Sequence, residues 1–448
     1  MRNPHSFAMP LVLLVTALAA CSSGGGNSTS DGQDTSLEDT GADDDTGADT
    51  NTEDTGTDDD TSSGDTDNAD TGPMFAMEFT AVDVPADAPA TTQLAIQACQ
   101  GLYNRDLGGS VYTLRDDKDR QWLTELDLEP AEIVEATDFL TSCVADMGAC
   151  VRYDYDAQQI LLPNILTVAS ELRAIPLDVE MAIACEEPVF DATVEFAERN
   201  TPELATRYVY ENYLDGTTGL GMHNPGYDQS STNYADPPII TDMTPALVDY
   251  MFSRRLFLVF LINGCEAGHP EQVLFSEIVN NANWTRPIGV YGYNNSWNIG
   301  GYLHEAQTLC LDSRDMGAIP TETTNLSFFS TRRPPITEEG VLESNPLEEV
   351  SYDPNTTFVA FVVGDGDNVR FIMATRNVWL GQRLDWCADA TNPCPPVTWS
   401  ISPHLPQLAP DVIEWYYARA RETGSDYFLL PPSGHQYAYP TSMNDQAG

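Results

Sequence analysis

Basic residues are scarce in this sequence. Lys118 is its only lysine, and lysine and arginine together number 20 against 69 acids, a formal net charge of −49. Nucleic-acid binding needs a basic footprint on the phosphates, so nucleic acid is excluded as an expected partner. Histidine is rare and scattered, six in all, and no C-x-x-C pair occurs. No metal site is therefore expected, zinc included, and no cofactor. The nucleophile elbow G-x-S-x-G is absent as well, which removes serine-hydrolase chemistry at Ser433. Beyond the first twenty residues no run is long and apolar enough to span a bilayer. Leu256 to Asn263 is only a short apolar run and reads as buried core. No exact internal repeat is present.

What is there begins with a leader. Arg2 gives residues 1–20 a positive start, and Pro10 to Ala20 is an apolar stretch of signal-peptide length. It ends Leu18-Ala-Ala-Cys21, which resembles a bacterial lipobox, with Cys21 as the lipidated residue. The expectation is an exported chain, lipid-anchored to the bacterial cell envelope at the outer membrane or cell surface, touching the membrane through its anchor alone. Residues 21–73 are Asp, Thr, Gly and Ser, with 16 acids and no Lys or Arg. Such a composition cannot enter a core and reads as a disordered, self-repelling tether of about 40 Å. Its acids lack the spacing of a calcium loop. Taking those 16 acids from −49 leaves −33 on the remainder, so the folded part is itself acidic.

Eight cysteines remain besides Cys21, an even number in an exported chain, and disulfides are their expected use. Cys387 and Cys394, close together in a Pro-rich loop, form the leading pair. Proximity also suggests Cys143 with Cys150 and Cys265 with Cys310.

Met74 to Glu349 reads as alternating short strands and helices. Helices are expected at Gln93–Tyr103, Gln121–Leu128, Pro130–Phe139 and Pro245–Ile262. Strands are expected at Val111–Leu114, Ile288–Tyr293 and Leu326–Ser330. The cluster His223-Asn-Pro-Gly-Tyr227 with Asp228 reads as a surface loop. From Thr356 the pattern lengthens into βα units. Thr357–Val363 is an apolar run suited to a strand buried on both faces, followed by a helix, the strand Val397–Ser402, a helix Pro410–Glu422 and the strand Tyr427–Leu430.

Two of these runs end in chemically useful residues: Gly364-Asp-Gly-Asp-Asn368, and Ser433-Gly-His-Gln-Tyr-Ala-Tyr-Pro440. With Gln100-Gly-Leu-Tyr-Asn-Arg105, Asp249-Tyr250 and Asn325-Leu-Ser327 upstream, they resemble the bacterial family named for the motif G-x-G-Y-x-Y-P, whose members are candidate glycoside hydrolases. The motif stands here as Gly434 to Pro440, with Gln436 at its second glycine; Gly364 stands where the family has serine. The resemblance extends from about Ala76 onward. It implies an α/β fold: small N-terminal α/β subdomains at 74–145, 146–200 and 201–349, then the first βα units of a TIM-like (β/α) barrel at 350–448. Family members run on beyond this motif, so the barrel is expected to be incomplete.

Asp365 and Asp367 are the candidate catalytic pair, since glycoside hydrolysis uses one carboxyl as acid and another as base or nucleophile. On an extended strand, residues two apart share a face at about 6.6 Å. Either the two act together, or one works with a carboxylate from a later strand. The bland alternative is a turn in which both bond backbone amides and cap the next helix. Candidate substrate contacts are Asn368, His404, Ser433, His435, Tyr437 and Tyr439, with carbohydrate as the ligand; aromatic rings stack on sugar C–H faces. Trp399 reads as core, His404 more as loop packing than as a substrate contact, and Asn104 with Arg105 as fixing a turn. Two functions compete: a glycoside hydrolase of an extracellular polysaccharide or glycoconjugate, and a non-catalytic glycan- or envelope-binding lipoprotein. The sequence leaves oligomeric state open.

Overall fold

The computed structural model describes residues 78–226, 246–261, 268–293, 316–319, 321, 323–337, 342–346, 353–431 and 434. Cys21 and the tether, Cys265 and Cys310, and Ser433, His435, Tyr437 and Tyr439 lie outside them.

Four parallel sheets are described. The first holds β1 (Thr80–Asp83), β2 (Val111–Leu114) and β3 (Glu132–Glu135) in the order β2-β1-β3. The second holds β4 (Cys150–Tyr153), β5 (Ile175–Asp178) and β6 (Phe190–Asp191) in the order β5-β4-β6. The third holds β7 (Gly219–His223), β8 (Leu256–Val259), β9 (Ile288–Tyr293) and β10 (Met316–Ile319) in the order β10-β9-β7-β8. Each starts with a central strand, steps to one side and then to the other. This is the doubly wound pattern, in which successive crossover helices fall on opposite faces. The fourth sheet differs: β11 (Val362–Val363), β12 (Val397–Ser400) and β13 (Asp426–Leu429) lie side by side in chain order.

The helix Ala90–Leu107 carries the N-terminal core. Leu94, Ile96, Ala98 and Leu102 are fully buried. Gly101 lets the helix Val248–Arg254 approach, because a Cβ there would lie 2.3 Å from the Asp249 carbonyl oxygen. Between these helices the upstream landmarks meet in a buried polar knot. Gln100 donates to Asn325 Oδ1 (2.7 Å), and Asn104 donates to Ser327 Oγ (2.8 Å). The Ser327 N–H donates to Asp249 Oδ2 (2.8 Å), and Asn325 exchanges bonds with both the N–H and the carbonyl of Thr113. Asn104 thus fixes the turn between its helix and β2 by bonding both the N–H and the carbonyl of Val111.

Several expectations are corrected. Within Pro130–Phe139 the chain is first strand β3, then the helix Ala136–Met147. Leu326–Thr331 is a helix, seated on the knot through Ser327. The expected helix Pro245–Ile262 stops at Arg254, because Arg255 takes a left-handed backbone (φ 53°) and Leu256 begins β8. His223 is no surface-loop residue: it ends β7 and is 3% exposed. Cys143 pairs with Cys99, and Cys150 with Cys185, so proximity in sequence misled there. Cys387–Cys394 is present as expected. Of Thr357–Val363 only Val362 and Val363 pair as strand, and Phe358, Val359, Phe361 and Val362 are exposed. With those side chains exposed, the run is not covered on both faces by the described residues.

Candidate functional site

The turn Gly364–Asn368 leaves the carboxyl end of β11, the edge where parallel α/β folds keep their ligand chemistry. Asp365 is exposed and adopts a left-handed backbone, φ 59°. Aspartate tolerates that region better than most residues, but at a cost that surrounding contacts must offset. The contacts are visible. Ser400 Oγ on β12 accepts from the Gly366 N–H (2.9 Å) and donates to the Val363 carbonyl (3.1 Å). A Cβ at position 366 would lie 1.8 Å from the Ser400 carbonyl oxygen, so this turn requires glycine. Gly364 has open space around it, so glycine is not demanded there.

Arg376 clamps the turn from below. It is 1% exposed, and its guanidinium donates to the carbonyls of Gly364 and Ser400. It also lies over the rings of Phe371 (5.4 Å) and Trp399 (5.9 Å). Trp399 is core, as expected, with its N–H on Asp426 Oδ1 (2.7 Å). Arg376 sits in a π-helical turn, Ile372–Arg376, an insertion that re-aims side chains and often marks functional sites.

The two aspartates share this turn, but not one face of an extended strand, so the 6.6 Å strand spacing does not apply. Asp367 is half-buried. Burial pushes its carboxyl up and the neighbouring Asp365 charge adds to this, while its own N–H, that of Asn368 and Arg376 pull it down. Asn368 Oδ1 caps the following helix by accepting from the Phe371 N–H (3.1 Å). Asp365, Asp367 and Asn368 are thus brought together. His404 lines a different cavity, about 340 Å³, at the starts of β7, β8 and β9 with Arg254, Trp284 and Arg286.

Sequence reading missed Arg376 and Ser400. Nothing in the sequence singles Arg376 out, since Arg370 and Arg383 stand in the same helical segment. Sequence reading also missed two buried acids of the N-terminal half. Asp119 and Asp249 are each pushed up to about 6, mainly by desolvation.

Fold and site together define a parallel α/β protein with an acidic turn clamped at the carboxyl edge of its last sheet. Residues 355–448 match the model of the GxGYxYP putative glycoside hydrolase C-terminal domain, so the resemblance read from the motifs holds over that segment. Among solved structures the chain is similar to a putative hydrolase from Bacteroides thetaiotaomicron VPI-5482. The TM-score is 0.59 at 19% identity, covering 84% of this chain and 67% of that one. At that identity the likeness establishes a shared mixed α/β fold. No curated protein matches the sequence.

Proposed function

We propose that this protein is a glycoside hydrolase acting on an extracellular polysaccharide or glycoconjugate. It is held at the outside of the bacterial envelope by a lipid on Cys21 and the acidic tether. The observation that carries the reading is the clamped turn: an exposed Asp365 in a left-handed backbone beside a partly desolvated Asp367. Strain maintained by a buried arginine and a serine is the kind that persists where a side chain must be aimed. Asp367, with its carboxyl pushed up, serves as proton donor. Asp365 serves as base or nucleophile, and Asn368, Ser433, His435, Tyr437 and Tyr439 supply sugar contacts. The family match over 355–448 supports the carbohydrate assignment. Chain-order pairing of β11, β12 and β13 supports a barrel-like start, since barrel strands follow one another in sequence. One doubly wound sheet in each of 74–145, 146–200 and 201–349 supports the three N-terminal subdomains.

The test is turnover of a glycan panel by the full chain, beside Asp365→Asn and Asp367→Asn. Each substitution is expected to lower turnover by about 10²- to 10⁴-fold with glycan binding retained. Equal turnover in all three proteins would remove the aspartates from catalysis. A second reading, a non-catalytic glycan- or envelope-binding lipoprotein, is favoured by one observation: the turn ends in a helix cap, with Asn368 Oδ1 accepting the Phe371 N–H. Binding without turnover by the wild type would select it.

A further inference from the structure

A second polar site lies at the carboxyl edge of the first sheet, and none of the residues Gly364–Asn368 of the aspartate turn lines it. Pro85 and Ala86 follow β1 and Arg115 to Asp119 follow β2; both segments open onto a cavity of about 510 Å³, closed by Thr323, Thr324 and the helix residues Arg370 and Met373. That volume is in the range of small-molecule sites, about 300–1,000 Å³. Trp122 fixes the wall by donating to the Met373 carbonyl (2.7 Å) and meeting Trp415 edge-on at 5.3 Å.

The charges in this cavity are arranged unequally. Asp116 Oδ1 accepts the N–H groups of Lys118 (2.7 Å) and Asp119 (3.1 Å). Asp119 accepts the Arg115 N–H (2.8 Å) and the Asn325 amide (3.0 Å). Asp119 is thus committed to the backbone and to the knot, while the exposed Asp116 caps the backbone through Oδ1. Of the three cations that line the cavity, Arg115 and Lys118 are not committed in this way. Arg115 donates one side-chain bond, to Gln93 Oε1 (2.8 Å), and Lys118 one, to Gln121 Oε1 (3.4 Å). A guanidinium carries five N–H donors and an ammonium three. Most described arginines lie against a carboxylate, as Arg120 does on Asp83, Arg207 on Glu277 and Arg383 on Asp426. In a chain with 69 acids, two cations with no carboxylate in ion-pair contact among the described residues, one of them the only lysine, converge on a single cavity.

We propose that this cavity binds a carboxylated sugar, a hexuronic acid, with its carboxylate on Arg115 and Lys118 and its hydroxyls toward Thr323 and Thr324. Guanidinium pairs well with a carboxylate through parallel N–H bonds. The overall negative charge of the chain does not forbid this, because exposed charges beyond about 8 Å are screened at physiological ionic strength while the two cations act in contact. The sugar half of the assignment rests on the glycan reading above; the anion half stands on the cavity alone.

Calorimetric titration of the full chain with D-galacturonate, D-galactose and acetate tests it. Galacturonate is expected to bind at least tenfold more tightly than either of the others. Arg115→Gln with Lys118→Gln is expected to weaken it at least tenfold, and the milder Lys118→Gln alone severalfold, both with an unchanged circular dichroism spectrum. Asp365→Asn is expected to leave galacturonate binding intact, which separates this site from the hydrolytic proposal. Equal binding of galactose would overturn the anion recognition, and equal binding of acetate would overturn the sugar. Absence of galacturonate binding, or binding indifferent to Lys118→Gln and to the double variant, would overturn the site.

Discussion

Asp249 shows how one buried side chain couples the fold to pH. It is fully buried, with Oδ2 on the Ser327 N–H and Oδ1 without a hydrogen-bond partner among the described residues. Burial raises its carboxyl from 3.8 to about 6. The folded state therefore favours the protonated acid, and this group's contribution is most favourable below the unfolded value. It is lost as pH rises from about 4 to about 6, a change of about 3 kcal/mol. Asp249→Asn keeps an acceptor for Ser327 and cannot ionise. Urea melts of the two proteins at a series of pH values are expected to differ most at pH 7, with the variant the more stable, and to converge near pH 4. Parallel pH profiles would remove the assigned burial cost. At this scale the turn Gly364–Asn368 was legible, because glycine, aspartate and asparagine signal a turn through local chemistry. Arg376 was not legible, because its partners Gly364 and Ser400 lie 12 and 24 residues away. His223 was hidden for a similar reason: its neighbours in sequence are loop formers, but its burial is set by the third sheet.

Elements were legible where a crossover helix is long and its apolar spacing regular, as over Ala90–Leu107, and where a strand is bounded by turn residues, as over Val111–Leu114. They were misread where a four-residue strand abuts a helix, as in Glu132–Glu135 before Ala136, since so short a run shows no period. Leu326–Thr331 was misread because its packing comes from partners more than seventy residues away. That knot is a testable source of stability. Asn325 holds a left-handed backbone (φ 63°) and bonds Gln100, Thr113 and Asp119 with no exposure to solvent. Asn325→Ala strands those groups and places alanine in a disfavoured conformation, so a loss of roughly 3 kcal/mol is expected. A shift of the urea midpoint below about 0.5 kcal/mol equivalent would mean that the network is not holding Ala90–Leu107, Val248–Arg254 and Leu326–Thr331 together.

For the whole molecule, composition forecast the alternation of strands and helices but not the order of strands in each sheet. The step to either side of β1, β4 and β7 depends on which helix face meets which sheet face, and the apolar pattern of a short buried strand does not encode that. Charge, by contrast, is legible directly from composition, and it makes a global prediction. With −33 outside the tether, most surface acids repel one another at any pH near neutrality. Opposing this are surface ion pairs such as Arg120–Asp83, Arg207–Glu277 and Arg419–Glu422, which salt weakens. Exposed pairs of this kind are worth about 0–1 kcal/mol each, and with 20 basic residues against 69 acids they cannot match the like-charge contacts. Repulsion should therefore dominate the salt response. Raising sodium chloride from about 0.05 to 0.5 M shortens the screening length from about 14 to about 4 Å, and the melting temperature is expected to rise by several degrees. A melting temperature that falls with salt would show that the few arginine–carboxylate pairs outweigh the acidic excess, and that the negative surface is organised to be stabilising in itself.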